Sequence, residues 1–159
     1  MLNYRYILAP YVPTPADVVD RMLRLADVTN RDCVYDLGCG DGRMVIAAAK
    51  DFGARGVGLD IEPYWVEEST RNAKKAGVEH LTTFRVEDAM SVDLSPASVV
   101  MLYLVEWSVA KLEPIIKSTA KPGTRVVSHS FSIENWTPAE FETFVDVNGQ
   151  ARNLYLWII

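Results

Sequence analysis

The stretch Asp36-Leu37-Gly38-Cys39-Gly40-Asp41-Gly42 sets two carboxylates among three glycines just after a short apolar run. Glycines at a strand-to-helix turn let the backbone approach a bound molecule closely. Charge indicates which molecule. A pyrophosphate would sit on the helix amino terminus, where N–H groups and the helix dipole favour an anion, and Asp36 and Asp41 would repel it. Gly42 also comes one residue too early for the G-x-G-x-x-G pattern of dinucleotide sites. Two acids at such a turn suit a cationic ligand instead. Read without a ligand, the same residues are a tight strand-to-helix turn.

Two more acids change that balance. Asp60 ends the next apolar strand, where a carboxylate can accept both hydroxyls of a ribose, and Asp88 follows the strand after it, where a carboxylate can accept from an adenine amino group. Ile61 offers an apolar face to the ring, and Ala89 follows on the same loop. Singly, Asp60 and Asp88 read equally well as solvated strand-end acids. With Asp36 they stand at the carboxyl ends of consecutive strands, where open α/β sheets bind ligands. A nucleoside with a positively charged tail fits all three, and S-adenosylmethionine carries both an ammonium and a sulfonium.

The elements that must hold these residues follow from periodicity and punctuation. Thr14-Pro15-Ala16-Asp17 predicts a helix start with Thr14 at the N-cap and Pro15 at N1. Apolar positions Val18, Val19, Met22, Leu23, Leu25 and Ala26 carry that helix over 14–28. Strands are predicted at 33–37, 56–61, 81–86, 98–105 and 125–130, with helices at 43–50, from Pro63 to before Gly77, and at 106–120. Pro114 should kink the last helix or start a second segment. Alternating strands and helices imply right-handed crossovers and a parallel sheet. Residues 141–147 and 151–159 read as two strands joined by Asn148-Gly149, a hairpin signal. The expected fold is α/β: a seven-stranded Rossmann-like sheet, parallel with a C-terminal antiparallel hairpin, with helices on both faces, an arm over 1–13 and one domain over 1–159.

Composition narrows the function classes. Of 159 residues, 49% are hydrophobic and 23% charged, which excludes disorder. The apolar run at 99–105 is far too short for a transmembrane helix, and no export signal opens the chain. A net charge of −5 without a lysine or arginine run disfavours nucleic acid as a partner. Two cysteines, Cys33 and Cys39, form no C-x-x-C pair, and two distant histidines, His80 and His129, offer no metal spacing. The expectation is a soluble, cytoplasmic, monomeric protein without a metal.

Asp36 to Gly42 with Asp60 and Asp88 resembles the class I S-adenosylmethionine-dependent methyltransferases, whose seven-stranded sheet ends in an antiparallel hairpin. A more specific resemblance spans most of the chain: Tyr11-Val12-Pro13-Thr14-Pro15, Val34 to Arg43, Lys121 to His129 and the closing Leu154 to Ile159. Those segments are similar to the small archaeal-type protein-lysine methyltransferases, relatives of the mitochondrial enzymes that methylate the c ring protein of ATP synthase and the adenine nucleotide translocase. The resemblance implies S-adenosylmethionine as cofactor, with contacts from Tyr11, Pro13, Thr14, Asp36, Gly38, Cys39, Gly40, Asp60, Ile61, Asp88, Ala89 and Tyr103. The membrane-associated leader of the mitochondrial relatives has no counterpart here, which leads to the expectation of a stand-alone enzyme.

Methyl transfer to an amine is an in-line displacement, so the protein's task is to position the nucleophile. A lysine amine, with an ordinary pKa of about 10.4, must first lose its proton, and desolvation beside aromatic faces favours that loss. Tyr103, at the end of the fourth strand, is the candidate catalytic wall, with Glu106, Trp107, His129 and Trp136 as further channel residues. Trp107 and Trp136 read more readily as lid or core packing and His129 as a buried hydrogen-bonding residue, while Glu106 reads also as an acid of its helix's first turn. Leu102-Tyr103-Leu104-Val105 stands where exocyclic-amine nucleic acid methyltransferases carry an Asn-Pro-Pro-Tyr type motif. The leading expectation is a protein-lysine N-methyltransferase of broad range, acting on accessible lysines. A small-amine methyltransferase and a non-catalytic cofactor-binding module are the alternatives.

Overall fold

The computed structural model describes residues 13–159. Tyr11, and the rest of the arm up to residue 12, lie outside the described residues. Seven strands form one sheet: β1 (Cys33–Leu37), β2 (Arg55–Asp60), β3 (Thr82–Val86), β4 (Val99–Leu102), β5 (Arg125–His129), β6 (Glu140–Val145) and β7 (Ala151–Ile158). Their order is β3-β2-β1-β4-β5-β7-β6. The first five strands run parallel, while β7 is antiparallel to both β5 and β6. This is the expected topology.

Four α-helices cover the two faces. On one lie α1 (Ala16–Leu25), α2 (Arg43–Phe52) and α3 (Pro63–Lys75); on the other lies α4 (Glu106–Thr119). Val18, Met22 and Leu23 of α1 pack with Met44 of α2 against Val34, Met101, Val127 and Leu154 of the sheet. On the opposite face Val109, Leu112 and Ile116 of α4 pack on Leu37, Val100, Leu102, Val126 and Trp157. Burial of such aliphatic side chains contributes about 1.5–3 kcal/mol each.

Three local expectations are corrected. The first helix starts at Ala16, with Pro15 at the N-cap (φ −56°, ψ 146°) and no side-chain cap from Thr14. A residue before proline is steered away from helical geometry, so Thr14 stays on the extended side of the boundary and its carbonyl serves another partner. Second, α4 runs through Pro114 as one helix, so of the two readings Pro114 does not start a second segment. Ala110, whose carbonyl loses its N–H partner there, and Pro114 are both exposed, so water can satisfy that carbonyl. Third, the hairpin turn is longer than Asn148-Gly149 alone. Asp146 N–H donates to Gln150 O at 2.8 Å, Gly149 adopts φ +81°, and the Asp146 carboxylate accepts from Asn148 N (2.8 Å) and Gln150 N (2.9 Å). The turn therefore belongs to the three-residue class with glycine in the left-handed position.

Candidate functional site

The connection reverses direction between β1 and β4: β2 and β3 are added on one side of β1, and β4 and β5 on the other. Open α/β sheets bind ligands at the carboxyl ends of strands at such a switch point. Here the two sides of the crevice are in contact. A Cβ placed on Gly38 (φ +79°) would lie 3.2 Å from Leu104 Cδ2.

The glycine turn is fixed by its own protein partners. The N–H groups of Gly38 and Cys39 both donate to Leu59 O at 2.8 Å, and Gly40 N–H donates to Asp60 Oδ2 at 3.0 Å. At the start of α2, Arg43 N–H donates to Asp41 Oδ1 at 3.2 Å. These donors are therefore not presented to a phosphate. Gly42 caps α2 in left-handed geometry (φ +85°), and a Cβ there would meet Ser69 Cβ of α3 at 2.7 Å. The third glycine thus serves packing of α2 on α3.

Asp36 and Asp41 play different parts in the structure. The Arg43 guanidinium grips Asp41 through Nε (3.0 Å) and Nη2 (2.6 Å), so Asp41 has an ion-pair partner within the protein. Asp36, near the end of β1, is buried and only 6% exposed. Burial, then the neighbouring Asp60 and Asp41, push its pKa up to about 7. A buried carboxylate crowded by other acids calls for a cation. The ammonium of S-adenosylmethionine fits it.

Asp60 ends β2 with one oxygen on Gly40 N–H and the other on Glu62 N–H, each at 3.0 Å. Each oxygen keeps a lone pair that ribose hydroxyls could use. Asp88 caps a 3-10 turn over Ala89–Ser91 by accepting from Met90 N at 2.9 Å. Ala89 is buried in the core beneath it, and Ile61 is half-buried beside Asp60. Cys39 is buried in the turn, and burial followed by the charges of Asp36 and Asp60 raises its pKa, so it stays a thiol. Thr14 is buried, and its carbonyl accepts from Arg43 Nη1 at 2.8 Å, which holds the start of α1 beside the glycine turn; Pro13 is exposed.

Across the crevice, Tyr103 and Leu104 follow β4 directly. The Tyr103 ring stacks on His129, the last residue of β5, with centroids 4.3 Å apart and planes inclined by 29°. Ser130 then turns the chain away in left-handed geometry, φ +68°. Arg152 of β7 links the two rings: Nη1 donates to Tyr103 Oη at 3.2 Å and to His129 Nε2 at 3.3 Å. A guanidinium only donates, so Nε2 accepts, the imidazole proton resides on Nδ1, and Ser130 Oγ lies 3.1 Å from it. Burial, then Arg152, lowers the His129 pKa to about 4. The imidazole is neutral, with its one acceptor nitrogen occupied, and it serves as a stacking platform.

The remaining channel candidates are not brought into one group. Glu106 and Trp107 are exposed on the first turn of α4, with Lys111 Nζ 4.8 Å from the Trp107 ring centroid. Trp136 is not brought to the mouth. Its indole N–H donates to Glu113 midway along α4 at 3.2 Å, and its ring meets Trp157 edge to face at 6.2 Å. Trp157 pairs with Val126 near the amino end of β5, which draws Trp136 towards the far end of the sheet from the crevice. Packing against the core outcompetes a lid role there.

The ANTKMT methyltransferase domain model matches residues 36–140, from the first crevice acid to the start of β6. The chain belongs to this family. It is accordingly an S-adenosylmethionine-dependent methyltransferase. It is 44% identical over 151 residues to a protein-lysine N-methyltransferase of Saccharolobus islandicus (strain REY15A), covering 94% of this chain and 93% of that protein. It is 34% identical over 134 residues to a lysine N-methyltransferase of Xenopus laevis named for the ATP synthase C protein, covering 84% of this chain but only 58% of the relative. Among solved structures, an RNA methyltransferase from Salinibacter ruber in complex with S-adenosyl-L-homocysteine matches with a TM-score of 0.86 at 50% identity, covering 93% of this chain and 94% of that one. The ANTKMT family match thus begins at Asp36 and takes in Asp60 and Asp88, the acids that mark the crevice.

Two contributors were not singled out from the sequence. Arg43 reads as an ordinary first-turn residue, although its place two positions after Asp41 signals a local pair. Arg152 looks like one more residue of an alternating strand, paired with Phe144, and the signal that could have found it is Asp146, an acid six residues before it on the other side of the hairpin turn.

Proposed function

We propose that this methyltransferase transfers methyl groups to lysine side chains of proteins. The observation that carries the reading is the 44% identity to the Saccharolobus islandicus protein-lysine N-methyltransferase along nearly the full length of both chains. When bound, S-adenosylmethionine supplies a methyl carbon on a positively charged sulfur, open to attack from the side opposite that sulfur. The chain's own work is positioning. Asp36 holds the cationic end of the cofactor, Asp60 accepts from its ribose, and Asp88 accepts from its adenine. Tyr103 lines the approach of the amine, which must arrive neutral. A half-buried aromatic wall disfavours the hydrated ammonium and favours the neutral amine. His129 takes no proton in this scheme, because Arg152 occupies its acceptor nitrogen.

Breadth of substrate is part of the proposal. The chain crosses from β5 to β6 through residues 130–139 without a helix, and Glu106 and Trp107 stay exposed beside the mouth. A surface lysine on a long, flexible stem can reach such an open site. Lysine-rich partners also complement a net charge of −5.

A second reading has its own observation: the Salinibacter ruber structure, 50% identical, is described as an RNA methyltransferase. Against that reading stand the acidic net charge and the absence of a basic run that would follow a phosphate backbone. Incubation of the purified protein with labelled S-adenosylmethionine and separated protein, RNA and small-molecule fractions of a lysate tests the three acceptor classes together. Label at lysine in the protein fraction supports the proposal; label confined to RNA or to small molecules overturns it.

A further inference from the structure

The β6–β7 hairpin lies almost wholly beyond the segment matched by the family model, yet it delivers a cation to the acceptor wall. Arg152 is only 13% exposed, and its ion-pair partner Asp146 is fully buried. The pair is built rather than incidental. Nε donates to Asp146 Oδ2 at 2.8 Å, while the second Asp146 oxygen is held by the turn amides of Asn148 and Gln150. Nη2 donates to Gln150 Oε1 at 2.9 Å. With Nε and Nη2 so anchored, Nη1 is aimed at the Tyr103 hydroxyl and at His129 Nε2. A phenol oxygen has two lone pairs and one proton. Arg152 takes one lone pair, which leaves the other and the phenolic proton for a methyl acceptor. Stacking on His129 fixes the plane of the ring, and the hydrogen bond fixes the direction of its hydroxyl.

We propose that Arg152, clamped by Asp146 in the hairpin turn, is a positioning residue for the methyl acceptor, acting through the Tyr103 hydroxyl it holds. The inference rests on the reading of Tyr103 as the acceptor wall of a lysine methyltransferase. It makes the C-terminal hairpin a working part of the acceptor site, so that the site is assembled from β4, β5 and β7 together. Arginine suits the task where lysine does not, because one planar guanidinium reaches Asp146, Gln150, Tyr103 and His129 at once, whereas an ammonium is a single point charge on a flexible stem.

The test is a kinetic double-mutant cycle on the full chain with Tyr103→Phe, Arg152→Met and the pair of them, alongside Arg152→Lys. Tyr103→Phe and Arg152→Met should each lower kcat about tenfold, the order expected for one oriented hydrogen bond to a charged group. S-adenosylmethionine affinity of the Arg152 variants by calorimetry should stay within about twofold. The double variant should be no slower than Tyr103→Phe alone. Arg152→Lys keeps a cation beside Asp146, so it safeguards the fold, and it should lose kcat as Arg152→Met does. Wild-type kcat in either Arg152 variant, or losses that multiply in the double variant, would overturn the proposal. So would a loss that appears only as weakened cofactor binding.

A turnover-independent readout separates this proposal from the lysine reading. In a His80→Asn background, His129 is the one remaining histidine, and its titration by NMR should move upward in Arg152→Met, where the guanidinium is gone. An unmoved titration would show that Arg152 does not hold this wall. If the wild type methylates some other acceptor, the lysine reading fails while the cycle is read on that acceptor with the same expected coupling. If the wild type transfers no methyl group to anything, both fail.

Discussion

The carboxylate of Asp60, the last residue of β2, accepts the backbone N–H of Gly40 at 3.0 Å and so ties the end of one strand to the glycine turn that follows its neighbour β1. The residue that the sequence marks for a ribose is also part of the scaffold of the turn. The same carboxylate accepts from Glu62 N–H just before α3. Two lone pairs of this side chain are used by the protein, and two stay open to the expected ribose.

Asp60→Ala should therefore fail in two ways. It removes the acceptor of two backbone N–H groups, which should lower stability by about 1–2 kcal/mol, measurable by urea unfolding. It should also weaken S-adenosylmethionine binding by about tenfold or more, measurable by calorimetry. Unchanged stability with weakened binding would show that Asp60 serves the ligand alone.

Asp36 should make both folding and cofactor binding depend on pH. Its pKa in the folded protein, about 7, lies above the ordinary carboxyl value of 3.8. The folded chain therefore holds an extra proton between these values, and this group's contribution to stability is full below about pH 4 and is lost as pH rises through 7. Cofactor binding runs the other way, because the ammonium needs an ionised partner. Affinity should fall about tenfold from pH 6.5 to pH 5.5, with a proton released on binding at those pH values. Asp36→Asn should keep the fold, lose this pH dependence of stability and binding, and bind S-adenosylmethionine weakly throughout. Calorimetry across pH for both proteins checks each part.

Gly42 answers a packing demand. Gly42→Ala would force an alanine to φ +85° and drive its Cβ to 2.7 Å from Ser69 Cβ. Thermal unfolding should show a loss of about 1–3 kcal/mol, with cofactor binding weakened because α2 and the glycine turn shift together. A Gly42→Ala protein as stable as the wild type would contradict the close α2–α3 contact.

Pro114→Ala should have the opposite sign. It restores an N–H for the Ala110 carbonyl within α4 and removes the ring from the middle of that helix. The expected gain is about 1–3 kcal/mol in chemical unfolding, with methyl transfer unchanged, since Pro114 is exposed and lies well along α4 from its start beside the crevice.

Much of this architecture could be read from the chain because its signals are local. Asp36, Asp60 and Asp88 stand out as acids at the ends of apolar strands. Pro63 and Gly77 mark the two ends of α3, and Asn148-Gly149 marks the hairpin. What escaped depends on contacts between residues far apart in sequence. Arg152 reaches Tyr103 only because β7 returns antiparallel to β5. Trp136 leaves the channel because Trp157 and Glu113 offer it a packed, hydrogen-bonded place elsewhere. Thr14 loses its capping role to the geometry imposed by Pro15, and Arg43 takes its carbonyl instead. Asp41, equivalent to Asp36 by type and spacing, differs from it because a guanidinium two residues away claims it.

The most direct test of the central claim is mass spectrometry of lysate proteins and RNA after incubation with the purified chain and isotopically labelled S-adenosylmethionine, run beside Asp36→Asn. The expected result is label on lysine side chains of several proteins with the wild type and a large loss of that label with the variant. Label in RNA or small molecules with none at lysine, or equal lysine labelling by Asp36→Asn, would contradict the account.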